Sequence, residues 1–183
     1  LFEAYVEYAA KRSKKGDKSL KFDKGLLSFC KGEFETAKRQ FAAAVIPPIP
    51  ISKVSKDLQK LTIQFFEILS QIHLGSDETY EQIETIRQIK INNKKLESLQ
   101  NNLYSYLKNI NNILNESAVN SEYIELHFSN QHLFMIIDSF YRGLYYLKLG
   151  HDEDAKSCFE KLSKEDGRLY FANEAKKHLE ELQ

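Results

Sequence analysis

Two stretches of the chain share one spacing: residues 24–44 read KGLLSFCKGEFETAKRQFAAA, and residues 142–162 read RGLYYLKLGHDEDAKSCFEKL. In each, two glycines lie seven positions apart, an alanine follows five positions later, and a phenylalanine four positions after that. The matching residues are Gly25, Gly32, Ala37 and Phe41 in the first stretch and Gly143, Gly150, Ala155 and Phe159 in the second. Apolar residues recur at helical spacing on both sides of the second glycine, which predicts two helices joined by a tight turn.

Each shared position has a mechanical reason. A glycine inside a helix costs about 1 kcal/mol relative to alanine, so the first glycine indicates a place where the partner helix packs closely. The second glycine supplies the left-handed conformation that ends the first helix. The alanine is expected where the two helices cross, and the phenylalanine is expected to fill the space behind it.

This pattern resembles the tetratricopeptide repeat (TPR), a helix–turn–helix unit, over residues 21–46 and 137–164. The resemblance implies an all-α fold of antiparallel helix hairpins in a right-handed stack. The chain departs from the family because matching residues of its two copies are 118 positions apart, which is not a multiple of the usual repeat of about 34. Lys21 and Ser28 also stand where the family prefers aromatic residues. An ordinary helical bundle whose glycine turns match by chance is the alternative.

Helical periodicity covers nearly all of the remaining sequence, and no segment alternates for long enough to predict a strand. The predicted helices are about 1–15, 19–31, 34–45, 52–74, 76 to a kink or turn at 92–93, 96–113, 121–149 with a break near 129–130, 152–162 and 169–182. We expect a single domain over 1–183. Its parts would be a TPR-like hairpin at 19–46, a long central helical hairpin at 52–116, a second TPR-like hairpin at 121–164 and a C-terminal capping helix at 167–183.

The resemblance implies a binding module whose first helices line a concave groove. By position in the repeat, the groove residues would be Phe22, Leu26, Phe29 and Cys30 in one copy and Phe140, Leu144, Leu147 and Lys148 in the other. The alternative for the apolar members is that they belong to the core, covered by other helices of the chain. The residues with which some family members clamp a peptide carboxylate have no match here.

The composition excludes several classes of protein. The 26 Lys and Arg balance 26 Asp and Glu, which argues against a general polyanion binder and against a disordered chain. Only 7 Gly and 3 Pro are present, too few for the turns of an all-β fold. No stretch reaches the roughly 18 apolar residues of a membrane span.

The neutral total hides an uneven distribution of charge. Residues 1–60 carry a net charge of +6 and the remainder −6, and residues 11–24 alone carry +5. Residues 11–24 would suit an anionic membrane surface or an acidic partner, and a solvated loop between helices is the alternative. Nucleic acid is not expected as a partner, because the segment lacks interleaved aromatic residues and the remainder is acidic.

Nothing in the sequence indicates catalysis, a cofactor or a metal. Phosphate-loop, dinucleotide, zinc-protease, serine-hydrolase and CxxC motifs are all absent. Cys30 and Cys158 each lie alone within a helical pattern and are expected to be small buried residues. His127 and His132, with nearby glutamates, leave a surface metal site as the minor alternative. The run 46–51 (IPPIPI) is expected to be a connector pressed onto apolar surface rather than a polyproline ligand.

The leading hypothesis is therefore a non-catalytic protein–protein interaction module that acts as an adaptor or stabilising partner. The first alternative is a structural role, in which the 77–115 hairpin or the C-terminal helix mediates self-association, and the second is an enzyme of unknown chemistry. The apolar residues of the 77–115 hairpin follow a heptad-like seam. The seam residues are Leu96, Leu99, Leu103, Tyr106, Ile110 and Ile113. Because the chain starts at Leu1 within a helical pattern, we expect it to be a trimmed piece of a longer protein. Such a start is compatible with the soluble part of a membrane-anchored bacterial envelope protein, whose partner would be another envelope protein, and a cytoplasmic protein is the alternative.

Overall fold

A computed structural model describes residues 20–45, 53–91, 93–115, 122–125 and 132–182. Over these residues the protein is all-α, as predicted, with eight helices, 80% of residues helical and no strand. The helices are α1 Lys21–Cys30, α2 Phe34–Ala42, α3 Lys53–Leu74, α4 Thr79–Gln88, α5 Lys94–Asn115, α6 His132–Leu149, α7 Asp152–Leu162 and α8 Tyr170–Glu181. None of these eight is long and apolar enough to cross a bilayer.

The chain divides into two compact units. Among the described residues, the first unit comprises 20–29 and 33–104, and the second comprises 30–32 and 105–182. The boundary along the chain falls within α5. Almost all of the first glycine-spaced stretch belongs to the first unit, and the whole of the second stretch belongs to the second unit.

Helices α1 and α2 form an antiparallel hairpin. Close to the turn, the rings of Phe29 and Phe34 lie 5.5 Å apart, and far from it those of Phe22 and Phe41 lie 5.7 Å apart. A Cβ atom built on Gly25 would lie only 2.6 Å from Cε1 of Phe41. The close approach expected at this glycine is therefore present, and a larger residue would displace the buried ring.

Helices α6 and α7 repeat this arrangement. A Cβ atom on Gly143 would again lie 2.6 Å from Cε1 of the matching ring, here Phe159. The rings of Phe140 and Phe159 lie 6.2 Å apart, and those of Tyr146 and His151 lie 6.3 Å apart beside the turn. Three acidic residues lie in the first turn of α7, where their negative charge interacts favourably with the positive end of the helix dipole.

The turns of the two hairpins also match. Gly32 and Gly150 have φ angles of 77° and 71°, the left-handed conformation predicted for both positions. In each turn the residue after glycine donates its backbone N–H to a carbonyl five positions earlier, over 2.9 Å in the first turn and 3.0 Å in the second. This pairing satisfies a carbonyl left open at the helix end.

The core of the first unit is a cluster of phenylalanine rings. Helix α3 packs on α2 and α4 packs on α3. The ring of Phe66 on α3 lies 5.5 Å from that of Phe29, 5.6 Å from that of Phe41 and 5.2 Å from that of Phe65. At the other end of α3, the ring of His73 stacks on Phe34 with centroids 3.8 Å apart.

The break predicted near residues 92–93 separates α4 from α5. The side-chain oxygen of Asn93 accepts the backbone N–H of Lys95 at 2.9 Å and so caps α5. The side chain of Gln100 donates to the carbonyls of Ile86 and Ile89 at 2.6 and 2.9 Å, which ties the end of α4 to α5.

In the second unit, α8 packs on both α6 and α7. One prediction for this unit is wrong: residues 122–125, assigned to a helix starting near Ser121, are not helical. Their backbone is held by side-chain hydrogen bonds from α5 instead. Three other predictions lie outside the described residues: the helix at 1–15, the connector at 46–51 and the break at 129–130.

Candidate partner-binding surfaces

The groove residues expected on α1 divide into core and surface. Phe29 is completely buried among the rings of the first unit. Phe22 and Leu26 are half-buried, and the ring of Phe22 lies 6.2 Å from that of Phe66. Of the three, only Phe22 and Leu26 therefore offer apolar area to a partner.

The groove residues expected on α6 divide in the same way. Phe140 is only 3% exposed, because the ring of Phe171 from α8 lies 5.2 Å away. Leu144 and Leu147 are half-buried, and Lys148 is exposed. For Phe29 and Phe140, the structure thus supports the alternative of a core role.

The seam proposed for self-association is also mostly core. Leu103 is fully buried in the first unit, and Ile110 in the second. Leu99 is half-buried and is the most accessible residue of the seam. A polar substitution at Leu103 would therefore disrupt folding rather than test a dimer.

A polar network in the second unit was not anticipated from the sequence. The hydroxyl of Tyr123 donates to Oδ1 of Asp138 at 2.8 Å. Oδ2 of Asp138 accepts Nη2 of Arg142 at 2.7 Å, and the same nitrogen lies 3.1 Å from Oε1 of Glu125. The guanidinium carbon of Arg142 lies over the ring of Tyr123, 5.5 Å from its centroid. A four-residue chain of hydrogen bonds and ion pairs thus joins the segment 122–125 to α6.

Tyrosine rings surround this network. The ring of Tyr123 lies 5.5 Å from that of Tyr145 and 6.4 Å from that of Tyr106, which in turn lies 6.4 Å from Tyr141. Tyr145 and Tyr146 are half-buried on α6. Tyrosine with arginine is the composition typical of energetically important binding residues, which makes this face of α6 a stronger candidate than the groove residues named from the repeat.

Burial sets the ionisation of the network. It raises the pKa of Tyr123 and of Tyr106 well above the usual tyrosine value, with a further contribution to Tyr123 from the charge of Asp138. Burial lowers the pKa of Arg142, but the hydrogen bond and charge of Asp138 outweigh it, so the pKa is raised overall. At neutral pH the network therefore contains neutral phenols beside a permanently charged guanidinium.

The two cysteines are free thiols. Burial raises the pKa of Cys30 to about 11, and burial also raises that of Cys158. Both are thus protonated at neutral pH and weakly nucleophilic. Within the described ranges, no group of three or more His, Cys, Asp or Glu side chains is arranged to hold a metal ion.

The basic segment 11–24 lies largely outside the described residues. Its last members, Lys21 and Lys24, lie on α1 and are half-buried. His127 and the run 46–51 also lie outside. His132 is described, and its Nε2 lies 3.1 Å from Oε2 of Glu165, so it forms an ion pair when protonated.

The sequence carried one local sign of the missed network. Asp138 and Arg142 stand four positions apart on α6, the spacing of a helical ion pair. Nothing local pointed to Tyr123, because its partners lie 15 positions away or more along the chain.

No protein-family model, curated protein or solved structure matches the chain. The residues themselves must therefore carry any argument about function. The two features that bear on function are the repeated hairpin and the polar network on α6.

Proposed function

We propose that this chain is a non-catalytic protein–protein interaction module of TPR-like architecture, which binds or stabilises a partner through the partly exposed faces of α1 and α6. The single observation that carries the proposal is the repetition of one hairpin geometry. In both hairpins a Cβ atom added to the first glycine would lie 2.6 Å from the matching phenylalanine ring, and a second glycine makes the same left-handed turn.

Half-exposed apolar side chains on the first helix of each hairpin supply the binding area. They are Phe22 and Leu26 on α1 and Leu144 and Leu147 on α6. Burial of such surface contributes about 25 cal/mol per Å² to binding, before the entropic cost of association is subtracted. The tyrosine and arginine side chains on α6 would add directional contacts, since aromatic and arginine anchors contribute most of the energy in typical interfaces.

Self-association through the 77–115 hairpin is the weaker proposal, because the seam that would carry it is mostly buried within the units. A catalytic role has no supporting arrangement among the residues described above. The candidate nucleophiles Cys30 and Cys158 have raised pKa values caused by burial.

A photo-crosslinking amino acid placed at Leu147 tests the proposal in cells of the source organism. We expect one discrete adduct, larger than the chain by the mass of a single partner. The matched control is the same amino acid at Glu160, which is exposed on α7 of the same unit, and we expect no adduct from it.

Two results would contradict the proposal. Equal adducts from Leu147 and Glu160 would mean nonspecific contact, and no adduct at Leu147 in a chain that retains its helical circular dichroism would mean that this face binds nothing. An adduct of twice the chain mass would instead favour self-association.

A further inference from the structure

Residues 122–125 are a short non-helical segment between helices α5 and α6, and the side chain of Asn109 binds their backbone. Nδ2 of Asn109 donates to the carbonyl of Glu122 at 3.2 Å, and its Oδ1 accepts the N–H of Ile124 at 3.3 Å. On an extended chain, the C=O of one residue and the N–H of the second residue after it lie along the same edge. The asparagine amide, which donates through Nδ2 and accepts at Oδ1, makes both hydrogen bonds that this edge of an extended segment offers.

This backbone contact is well protected from water. Asn109 lies on α5 and is only 2% exposed. A buried side-chain amide must find hydrogen-bond partners, since leaving it unpaired costs about 1–3 kcal/mol. The main chain of Glu122 and Ile124 supplies two of the partners of Asn109.

The side chains of the segment add sequence preference to the backbone contact. In an extended segment, alternate residues point to the same side, and Tyr123 and Glu125 are such a pair. Both reach α6: the hydroxyl of Tyr123 donates to Asp138 at 2.8 Å, and Glu125 meets Arg142 at 3.1 Å. These contacts favour a segment that carries a tyrosine and, two positions later, a carboxylate.

The segment leaves part of this face unsatisfied. Nη2 of Arg142 forms ion pairs with the carboxylates of both Asp138 and Glu125. The buried Nε of Arg142 has no hydrogen-bond acceptor among the described residues. Glu125 is 55% exposed, so its ion pair is screened and weak. A carboxylate that reached both Nε and Nη2 would form the stronger bidentate pair.

We propose that this face, formed by Asn109 of α5 and by Asp138, Arg142 and Tyr145 of α6, is a peptide-binding site of the module. Its partner presents an extended segment with a tyrosine followed two positions later by an acidic residue. Residues 122–125 occupy the site in the absence of that partner. This inference rests on the proposed function and names its ligand class.

Residues 122–125 and the partner segment would therefore compete for the same site. A segment tethered beside its own site acts at an effective concentration on the order of millimolar. A partner segment must displace it, so its apparent affinity falls by the fraction of chains in which the site is free. Weakening the chain's own segment should strengthen binding of the same sequence supplied separately.

Fluorescence anisotropy with a labelled peptide copying residues 120–127 (NSEYIELH) tests this on the full chain. The double variant Tyr123→Ala with Glu125→Ala should bind the peptide at least about tenfold more tightly than the unaltered chain. If that variant loses its helical circular dichroism, Tyr123→Phe with Glu125→Gln nearly keeps the side-chain volumes while it removes the hydroxyl that contacts Asp138 and the negative charge that faces Arg142.

Two controls identify the site. A peptide with alanine in place of its tyrosine should not bind. Adding Asn109→Ala to the double variant should abolish binding of the original peptide.

Failure of the peptide to bind a folded double variant, or binding that survives Asn109→Ala, overturns the inference. The crosslinking result at Leu147 is independent of either outcome. A partner captured there while the peptide fails would leave the proposed function standing and remove only this ligand class.

Discussion

The hairpin α1–α2 and the hairpin α6–α7 have the same internal geometry in different surroundings. In both, a Cβ atom added to the mid-helix glycine would lie 2.6 Å from a phenylalanine ring. Around the first, α3 supplies phenylalanine rings and the stacked ring of His73. Around the second, the segment 122–125 brings a tyrosine that joins Asp138 and Arg142. The shared spacing thus specifies the hairpin, whereas the neighbouring elements decide what its outer face can bind.

The largest effect should come from removing the ring that fills each hairpin. Phe41→Ala and Phe159→Ala should each lower the free energy of unfolding by about 3–5 kcal/mol, because both rings are completely buried. Urea unfolding followed by circular dichroism measures this. A loss at one position below about 1 kcal/mol would break the equivalence of the two hairpins, and Lys177→Ala, exposed on α8, is the surface control.

A pH effect should distinguish the first unit. Burial lowers the pKa of His73 to about 3 from an ordinary value of 6.5, so the folded state holds this ring neutral while the unfolded state takes up a proton below pH 6.5. Stability from this residue is therefore full above pH 6.5 and falls by about 1.4 kcal/mol per pH unit as the pH drops from 6.5 towards 3.

The variant His73→Leu isolates that contribution, since it cannot titrate. We expect the stability difference between the unaltered chain and the variant to be constant from pH 7 to pH 8 and to shift in favour of the variant below pH 6.5. Urea titrations at each pH measure it. A stability difference that stays constant with pH would show that the ring takes up a proton as readily in the folded state as in the unfolded state.

A smaller effect should come from filling the close approaches. Gly25→Ala and Gly143→Ala each place a methyl group 2.6 Å from a buried ring, and such overpacking costs about 1–3 kcal/mol. The better helix propensity of alanine returns about 1 kcal/mol, so a net loss of about 0–2 kcal/mol is expected from these two terms. Thermal unfolding of the two variants measures this effect. A stabilisation by only one of the two substitutions would show that the helix packed against that glycine moves away more easily.

Much of the fold was predictable because it depends on near neighbours in the sequence. The helix 152–162 was predicted with the bounds that α7 has, and the left-handed turns at Gly32 and Gly150 are present. The binding surface was less predictable. Phe22 and Phe29 look alike in the helical pattern, yet one is half-buried and the other fully buried.

By itself, the sequence determined the all-helical class, the break before α5 and the geometry of two hairpins, since helical period, glycine conformation and side-chain caps act over a few residues. Only the tertiary structure decided that residues 122–125 leave the helix and lie against Asn109, Asp138 and Arg142. Those contacts join positions 13 to 17 residues apart, and no local periodicity encodes them. Their energy depends on which buried polar groups the fold brings face to face.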